Sequence, residues 1–315
     1  MFPHVIWAQE KLTFAVIGKT LNDSFYEQSF DGCLEFAATV KNLNCIYDGP
    51  LNYQDIRSQG FAVERVLAKG IDGLIISVTD SGYLANHILP KLAKLNIPVI
   101  TFDSDLLPLH RHHRLTYVGT NNVEFGMALG EYASRYKRPG VNQVCIYSGH
   151  PTTPNLNDRI KGVRLFLSQH QTESRLDGQN GWFEIERCPY YSLGKRDQAL
   201  SQLINSFDNK VPINIAVAGF AQFSPKYIEA IKPYQKLLDS GEVVFVSADT
   251  EPLQLSALRE RLSTINIGQN PFEMGRLSAE LLFNFLTQNT LPEKDMYFLD
   301  FHYCHPENFD TCTQK

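Results

Sequence analysis

At 315 residues the chain has room for two domains of ordinary size. Its composition, 43% apolar and 20% charged, is that of a soluble globular protein rather than a disordered or membrane-embedded one. A net charge of −5 gives no support to nucleic-acid binding, and no apolar run approaches the ~20 residues that span a bilayer.

Phe2 to Ala8 is apolar, but it lacks a basic leader and is short for a signal peptide. Two readings stand: the tail of a truncated signal peptide cleaved near Ala8, or an ordinary N-terminal extension. Thr13 to Ile17 then reads as a buried strand. It runs into a polar Asn22-Asp23-Ser24 turn that delivers two adjacent aromatics, Phe25 and Tyr26. A carboxylate beside aromatic faces suits a hydroxylated small molecule, the rings stacking on its apolar face.

Helical spacing is predicted from Glu27 to Lys41, a strand at Asn44 to Tyr47, and a turn at Asp48-Gly49-Pro50. A helix from Asn52 to Lys69 precedes the continuous apolar run Leu74 to Val78, the pattern of a strand covered on both faces. A further helix, Gly82 to Leu95, leads to the strand Ile97 to Asp103.

A second set follows Tyr117 to Asn122. Its helices are predicted at Asn122 to Tyr136, Asn157 to Gln169, Lys195 to Phe207, Pro225 to Leu238 (kinked at Pro233), Pro252 to Glu260 and Pro271 to Thr287. Its strands are predicted at Val144 to Tyr147, Trp182 to Cys188, Ile213 to Ala218, Val243 to Val246, Ser263 to Ile267 and Met296 to His302. Strict alternation implies an α/β fold with two doubly wound parallel-sheet lobes. No Gly/Ser-rich linker separates them. Junctions at Thr120-Asn121, Gln269-Asn270 and near Pro292 to Tyr297 would form a multi-strand hinge that lets the cleft close. The expected lobes are residues 1–120 with 270–296, and 121–269 with 297–315.

The six cysteines allow three geometrically plausible pairs: Cys33 with Cys45, Cys145 with Cys188, and Cys304 with Cys312. Such bridges would suit an oxidising compartment. Connectivity cannot be read from sequence, and buried free thiols are the alternative.

The ordered motifs Leu21-Asn-Asp-Ser-Phe-Tyr26, Gly70-Ile-Asp-Gly-Leu-Ile-Ile76, Ile97-Pro-Val-Ile-Thr-Phe-Asp103 and Tyr117-Val-Gly-Thr-Asn-Asn122 with Gly126 resemble type I periplasmic binding proteins. So do Arg159-x-x-Gly162, Asp249 and Ile267-Gly-Gln-Asn-Pro-Phe-x-x-Gly275. The closest pattern is the ribose- and galactose-binding branch, over roughly residues 12–299. Effector domains of the lactose-repressor family and receptors that present a ligand to a sensor kinase share this plan.

The resemblance implies a site in which Asp23, Phe25 and Tyr26 give polar and stacking contacts. Asp103 would take two ring hydroxyls, Arg159 would donate a fork of hydrogen bonds from the second lobe, and Asp249 and Gln269 would complete the polar set. Three departures put the ligand's identity apart from ribose. Gly219-Phe220-Ala221-Gln222 stands where asparagine is usual, Ser104 where arginine is common, and Ser77 where asparagine is common. Phe220 is expected to add a second stacking face. Each residue also has a structural reading. Asp23 would cap the following helix, Phe25 and Tyr26 would be core, and Asp103 and Asp249 would serve turns. Arg159 would pair with Asp158 or Asp249, and Gln269 would satisfy hinge backbone groups.

Other signals are weaker. Gly18-Lys19-Thr20 ends like a phosphate loop, but Thr13 stands where the motif needs its first glycine. His110-Arg111-His112-His113-Arg114 mixes imidazoles with two cations and reads as a solvated loop rather than a metal site. Ser148-Gly149-His150 lacks a nucleophile elbow and reads as a strand-to-helix loop at the cleft edge.

The expected protein is a non-enzymatic periplasmic solute-binding protein, monomeric, with no cofactor, metal or nucleic acid. It would close on a sugar or polyol for a membrane transporter permease or a sensor kinase. The alternative is a lactose-repressor-like effector domain, which would need a helix-turn-helix before Leu12.

Overall fold

Leu12–Ile17 (β1), Leu43–Asp48 (β2), Gly73–Ile76 (β3), Val99–Phe102 (β4) and Thr116–Gly119 (β5) make up most of one sheet in the computed structural model, which describes residues 11–53 and 55–313. The stretch Phe2 to Ala8 and the last residue, Lys315, lie outside the described residues. A second sheet is built from Asn142–Ser148 (β6), Trp182–Glu184 (β7), Tyr190–Tyr191 (β8), Ile213–Ala216 (β9), Val244–Ala248 (β10) and Ile265–Gly268 (β11). Near the end of the chain, Met296–Phe298 (β12) returns to the first sheet and His302–Cys304 (β13) joins the second.

The strand orders are β12-β5-β4-β3-β1-β2 and β13-β11-β10-β9-β6-β7, with β8 also on β6. The two orders are one topology used twice, the doubly wound plan that opens a ligand crevice at the carboxyl ends of the strands. β3 and β4 are buried throughout, because helices cover both faces of the sheet. All the strand pairs of the first sheet are parallel, whereas β13 runs antiparallel to β11.

The chain end departs from expectation. The single strand expected from Met296 to His302 is two strands in two different sheets. The third crossing therefore lies between Phe298 and His302, beyond the stretch Pro292 to Tyr297. Pairing of β12 with β5, extended by Leu299 N–H to the Gly119 carbonyl at 2.8 Å, keeps the chain in the first sheet past residue 296. The helix expected from Pro225 to Leu238 is broken into Tyr227–Ile231, a 3-10 turn at Lys232–Tyr234, and Gln235–Asp239. Pro233 has no N–H to continue the ladder.

Each lobe is anchored by a close helix pair. Ser24–Thr39 crosses Pro271–Gln288, and Asn122–Ser134 crosses Pro154–Leu167. A Cβ on Gly275 would lie 1.7 Å from the Ser29 carbonyl oxygen, and one on Gly126 would lie 2.1 Å from that of Arg159. Only glycine lets backbones approach this closely.

Disulfides join Cys33 to Cys45, Cys145 to Cys188 and Cys304 to Cys312. The first ties the Ser24–Thr39 helix to β2.

Candidate ligand-binding site

The residues that follow the strands converge between the lobes. Lys19 lies two residues beyond β1, Ser77 one beyond β3, Asp103 one beyond β4, Asp249 one beyond β10 and Gln269 one beyond β11. All but Ser77 share a cavity with Asp23, Phe25, Tyr26, Tyr53, Asn155, Arg159, Phe220 and Phe223 among its walls. The free space is about 30 Å³ measured at water centres, enough for a water or two.

Asp23 caps the helix that begins at Ser24, its Oδ1 accepting from Phe25 N–H at 2.9 Å. The helix thus starts three residues before Glu27, and Phe25 and Tyr26 lie in its first turn rather than in the preceding loop. This combines the capping reading of Asp23 with a place on the cavity wall. Phe25 and Tyr26 meet edge to face at 5.3 Å. Tyr53 bridges them to the other lobe, 6.4 Å from Tyr26 and 5.0 Å from Phe220. Phe220 and Tyr53 therefore close one end of the cleft with aromatic faces.

Asp103 is the polar centre. Its Oδ2 accepts from Ser77 Oγ at 2.7 Å, Lys19 Nζ at 3.0 Å and Tyr26 Oη at 3.3 Å. Its Oδ1 accepts from Asn155 Nδ2 at 3.0 Å and lies 3.6 Å from the Arg159 guanidinium. Burial by itself would raise this carboxyl. The adjacent Lys19 and Arg159 charges and the hydrogen bonds outweigh it and hold the group below its ordinary value. Ser77 touches Asp103 from behind and does not line the cavity.

Arg159 is 2% exposed and comes from the second lobe. Its Nε donates to Asn122 Oδ1 at 2.8 Å, one terminal nitrogen to the Val217 carbonyl at 3.0 Å, and the other to Gln269 Oε1 at 3.0 Å. The guanidinium also stacks over Phe125 at 4.6 Å. Its acidic neighbour within salt-bridge reach is Asp103, not Asp158. Gln269 passes the link on, donating to Asp249 Oδ1 at 2.9 Å while its Oε1 also accepts from Thr120 Oγ1 at 2.9 Å. Burial raises the Asp249 carboxyl, with Arg159 and the Gln269 bond opposing. Burial likewise pushes Asp23 well above the usual carboxylate range against the Phe25 N–H bond, and it lowers Lys19 against the pull of Asp103.

Sequence reasoning missed Lys19, Asn155 and Tyr53. Lys19 stands just beyond a buried strand, where its sequence context resembles only the end of a phosphate loop. Its ammonium also donates to Asn155 Oδ1 at 2.9 Å, joining the two lobes. Asn155 stands in the first turn of the helix that carries Arg159, and Tyr53 in the loop after β2. The histidine cluster forms a 3-10 helix, Pro108–His113, in which His110 Nδ1 lies 2.8 Å from Ser81 Oγ. The Ser148 loop crosses to the first lobe through Thr152 Oγ1, which donates to Asp80 Oδ2 at 2.7 Å.

Two α/β lobes joined by three chain crossings enclose a polar and aromatic cleft at the strand ends, the plan of a two-lobed binding protein. The chain belongs to the periplasmic binding protein domain family, whose model matches residues 14–290. It is similar to a D-ribose/D-allose-binding protein of Pseudomonas aeruginosa, 26% identical over 182 residues, a match spanning 56% of each chain. The match thus spans about half the length of that relative. Among solved structures it is similar to a solute-binding protein from Burkholderia graminis in complex with D-arabinose, with a TM-score of 0.81 and 19% identity over 97% of this chain and 99% of that one. An Agrobacterium vitis solute-binding protein bound with α-D-tagatopyranose gives a TM-score of 0.80 and 20% identity, over 96% and 97%.

Proposed function

We propose that this protein captures a monosaccharide or related polyol in the periplasm and delivers it, by lobe closure, to an ABC-type permease or to a membrane sensor. The carrying observation is the convergence of Asp103, Asp249 and Arg159 between facing aromatic rings in one buried cleft. Carboxylate and guanidinium give the charge-assisted hydrogen bonds that a desolvated polyol needs, and wrong ligands are penalised by leaving those groups unpaired.

The ligand-contacting set is Asp23, Phe25, Tyr26, Asp103, Arg159, Phe220, Asp249 and Gln269, with Ser77 orienting Asp103. The first lobe runs to residue 120 and resumes over 270–299; the second covers 121–269 and continues from 300. A sugar ring exceeds the free space between the walls, so the lobes part to admit it and close by virtue of the contacts it adds. The three disulfides and membership of the periplasmic binding protein domain family support an oxidising, periplasmic setting. The sugars bound by similar proteins support the ligand class.

The test is a thermal-shift screen of the purified chain across neutral monosaccharides and polyols. At least one is expected to raise the melting midpoint, and Asp103→Ala and Arg159→Ala each abolish the response. A screen without any hit, or variants that respond like the parent, would overturn the reading.

A further inference from the structure

A second cavity lies beside the hinge. It offers about 520 Å³ measured at water centres, room for a small organic molecule, against about 30 Å³ in the cleft. Its walls come from both lobes: Gln28 and Phe272 from the first, Glu251 and Leu255 from the second, and His302 from just beyond the third crossing. Gln269 lines both this cavity and the cleft.

The charge here is unbalanced. Glu251 is 5% exposed, and its carboxylate accepts from Ser24 Oγ and, at 2.8 Å, from Gln28 Nε2, both neutral donors. Among the described residues no Lys, Arg or His lies within ion-pair distance of it. A buried carboxylate without a counter-cation is costly. The other carboxylate of the wall, Glu273, is already matched by two bonds of 2.7 Å from Arg276. The surroundings do not suit an anion. The helices Pro252–Arg259 and Pro271–Gln288 begin at the wall, but the proline that starts each has no N–H to give, and Asn270 Oδ1 takes that of Glu273 at 3.0 Å. Phe272 meanwhile presents an aromatic side chain that is 37% exposed.

We propose that this cavity is a second ligand site, which takes a small organic cation: an ammonium group paired with Glu251 on an apolar body packed against Phe272 and Leu255. The ring of Phe272 suits both the body and the charge. An occupant touches both lobes.

Isothermal titration with 2-phenylethylamine and its neutral counterpart 2-phenylethanol tests this. At pH 8 the amine is protonated and Glu251, its carboxyl pushed up to about 7 by burial, is ionised. The parent is expected to bind the amine about tenfold or more tighter than the alcohol. Glu251→Gln, nearly the same shape without the charge, should bring the two within about threefold. Phe272→Ala should weaken both by about fivefold. A parent that binds the amine no better than the alcohol, or not at all, overturns the inference. So does a preference that survives Glu251→Gln or, should that variant not fold, an amine affinity unchanged in Phe272→Ala. The sugar screen is read separately, so either reading can fail without the other.

Discussion

Asp103 and Asp249 occupy the same place in the two lobes. Each directly follows the third strand in its sheet's order, β4 or β10, and each has a left-handed backbone, φ 57° and 71°. Each donates its N–H to the neighbouring strand, Asp103 to the Val118 carbonyl at 3.2 Å and Asp249 to that of Ile267 at 2.7 Å. Non-glycine residues held in this region concentrate at functional sites. Here the conformation turns a carboxylate from each sheet into one cleft.

The two carboxylates differ in surroundings, so they separate stability from binding. Asp103→Asn leaves Lys19 and Arg159 without their anion and is expected to cost about 3 kcal/mol of stability together with ligand affinity. Asp249→Asn keeps an amide that tolerates the left-handed backbone; it is expected to change stability by less than about 1 kcal/mol yet weaken the ligand about tenfold. Urea unfolding and calorimetric titration of both variants check this; equal stability losses would contradict it.

Arg159→Lys tests the fork. An ammonium cannot reach Asn122, the Val217 carbonyl and Gln269 together, and the stranded acceptors are buried. A loss of about 2 kcal/mol or more is expected in chemical denaturation, along with loss of the sugar-induced thermal shift.

Glu251 should make stability pH-dependent. It belongs to the second lobe but accepts from Ser24 Oγ and, at 2.8 Å, from Gln28 Nε2 of the first. Burial pushes its carboxyl from 4.5 up to about 7, the Ser24 bond opposing. The folded protein then holds a proton that the unfolded chain releases near pH 4.5. Its stabilising contribution is complete below that pH and is lost as the pH rises through about 7, by at most about 3 kcal/mol. Melting midpoints from pH 5 to 7.5 should fall more steeply in the parent than in Glu251→Gln, and parallel curves would refute the assignment.

Gly275→Ala forces a methyl against the Ser29 carbonyl oxygen, a backbone atom that cannot swing aside. About 2 kcal/mol of destabilisation is expected. Gly82→Ala is the contrast: its nearest neighbour is Asp80 Oδ1 at 3.6 Å. There alanine should be neutral or stabilising by about 0.5 kcal/mol. Paired urea titrations read both.

Both sheets were legible because Leu74 to Val78 and its counterparts are too continuously apolar to face water on either side. Gly126, Gly162 and Gly275 were legible as motif members, and the helix crossings supply their reason. The start of the first helix was misread because Ser24-Phe25-Tyr26 carries little helical signal of its own; the Asp23 cap decides it. The end of the chain was misread because an apolar run from Met296 to His302 looks the same whether one sheet receives it or two. In the cleft, carboxylates at strand ends announce themselves, Arg159 follows from its motif, and Phe220 is noticed because it stands where the motif is departed from. Asn155 and Tyr53 do not, since their roles depend on partners distant in sequence, 52 residues for Asn155 and Asp103 and in the opposite lobe for Tyr53 and Phe220.

The return of β12 to the first sheet has a consequence for how the molecule is made. The first lobe's edge strand and its anchoring helix, Pro271–Gln288, leave the ribosome only after residues 122 to 268. Residues 122 to 268, by contrast, supply all of the second sheet except β13 in one uninterrupted stretch. The early strands of the first lobe therefore wait through synthesis of most of the other before their own last helix and edge strand arrive. Trimming the chain back to residue 290 would strip an edge strand from both lobes at once.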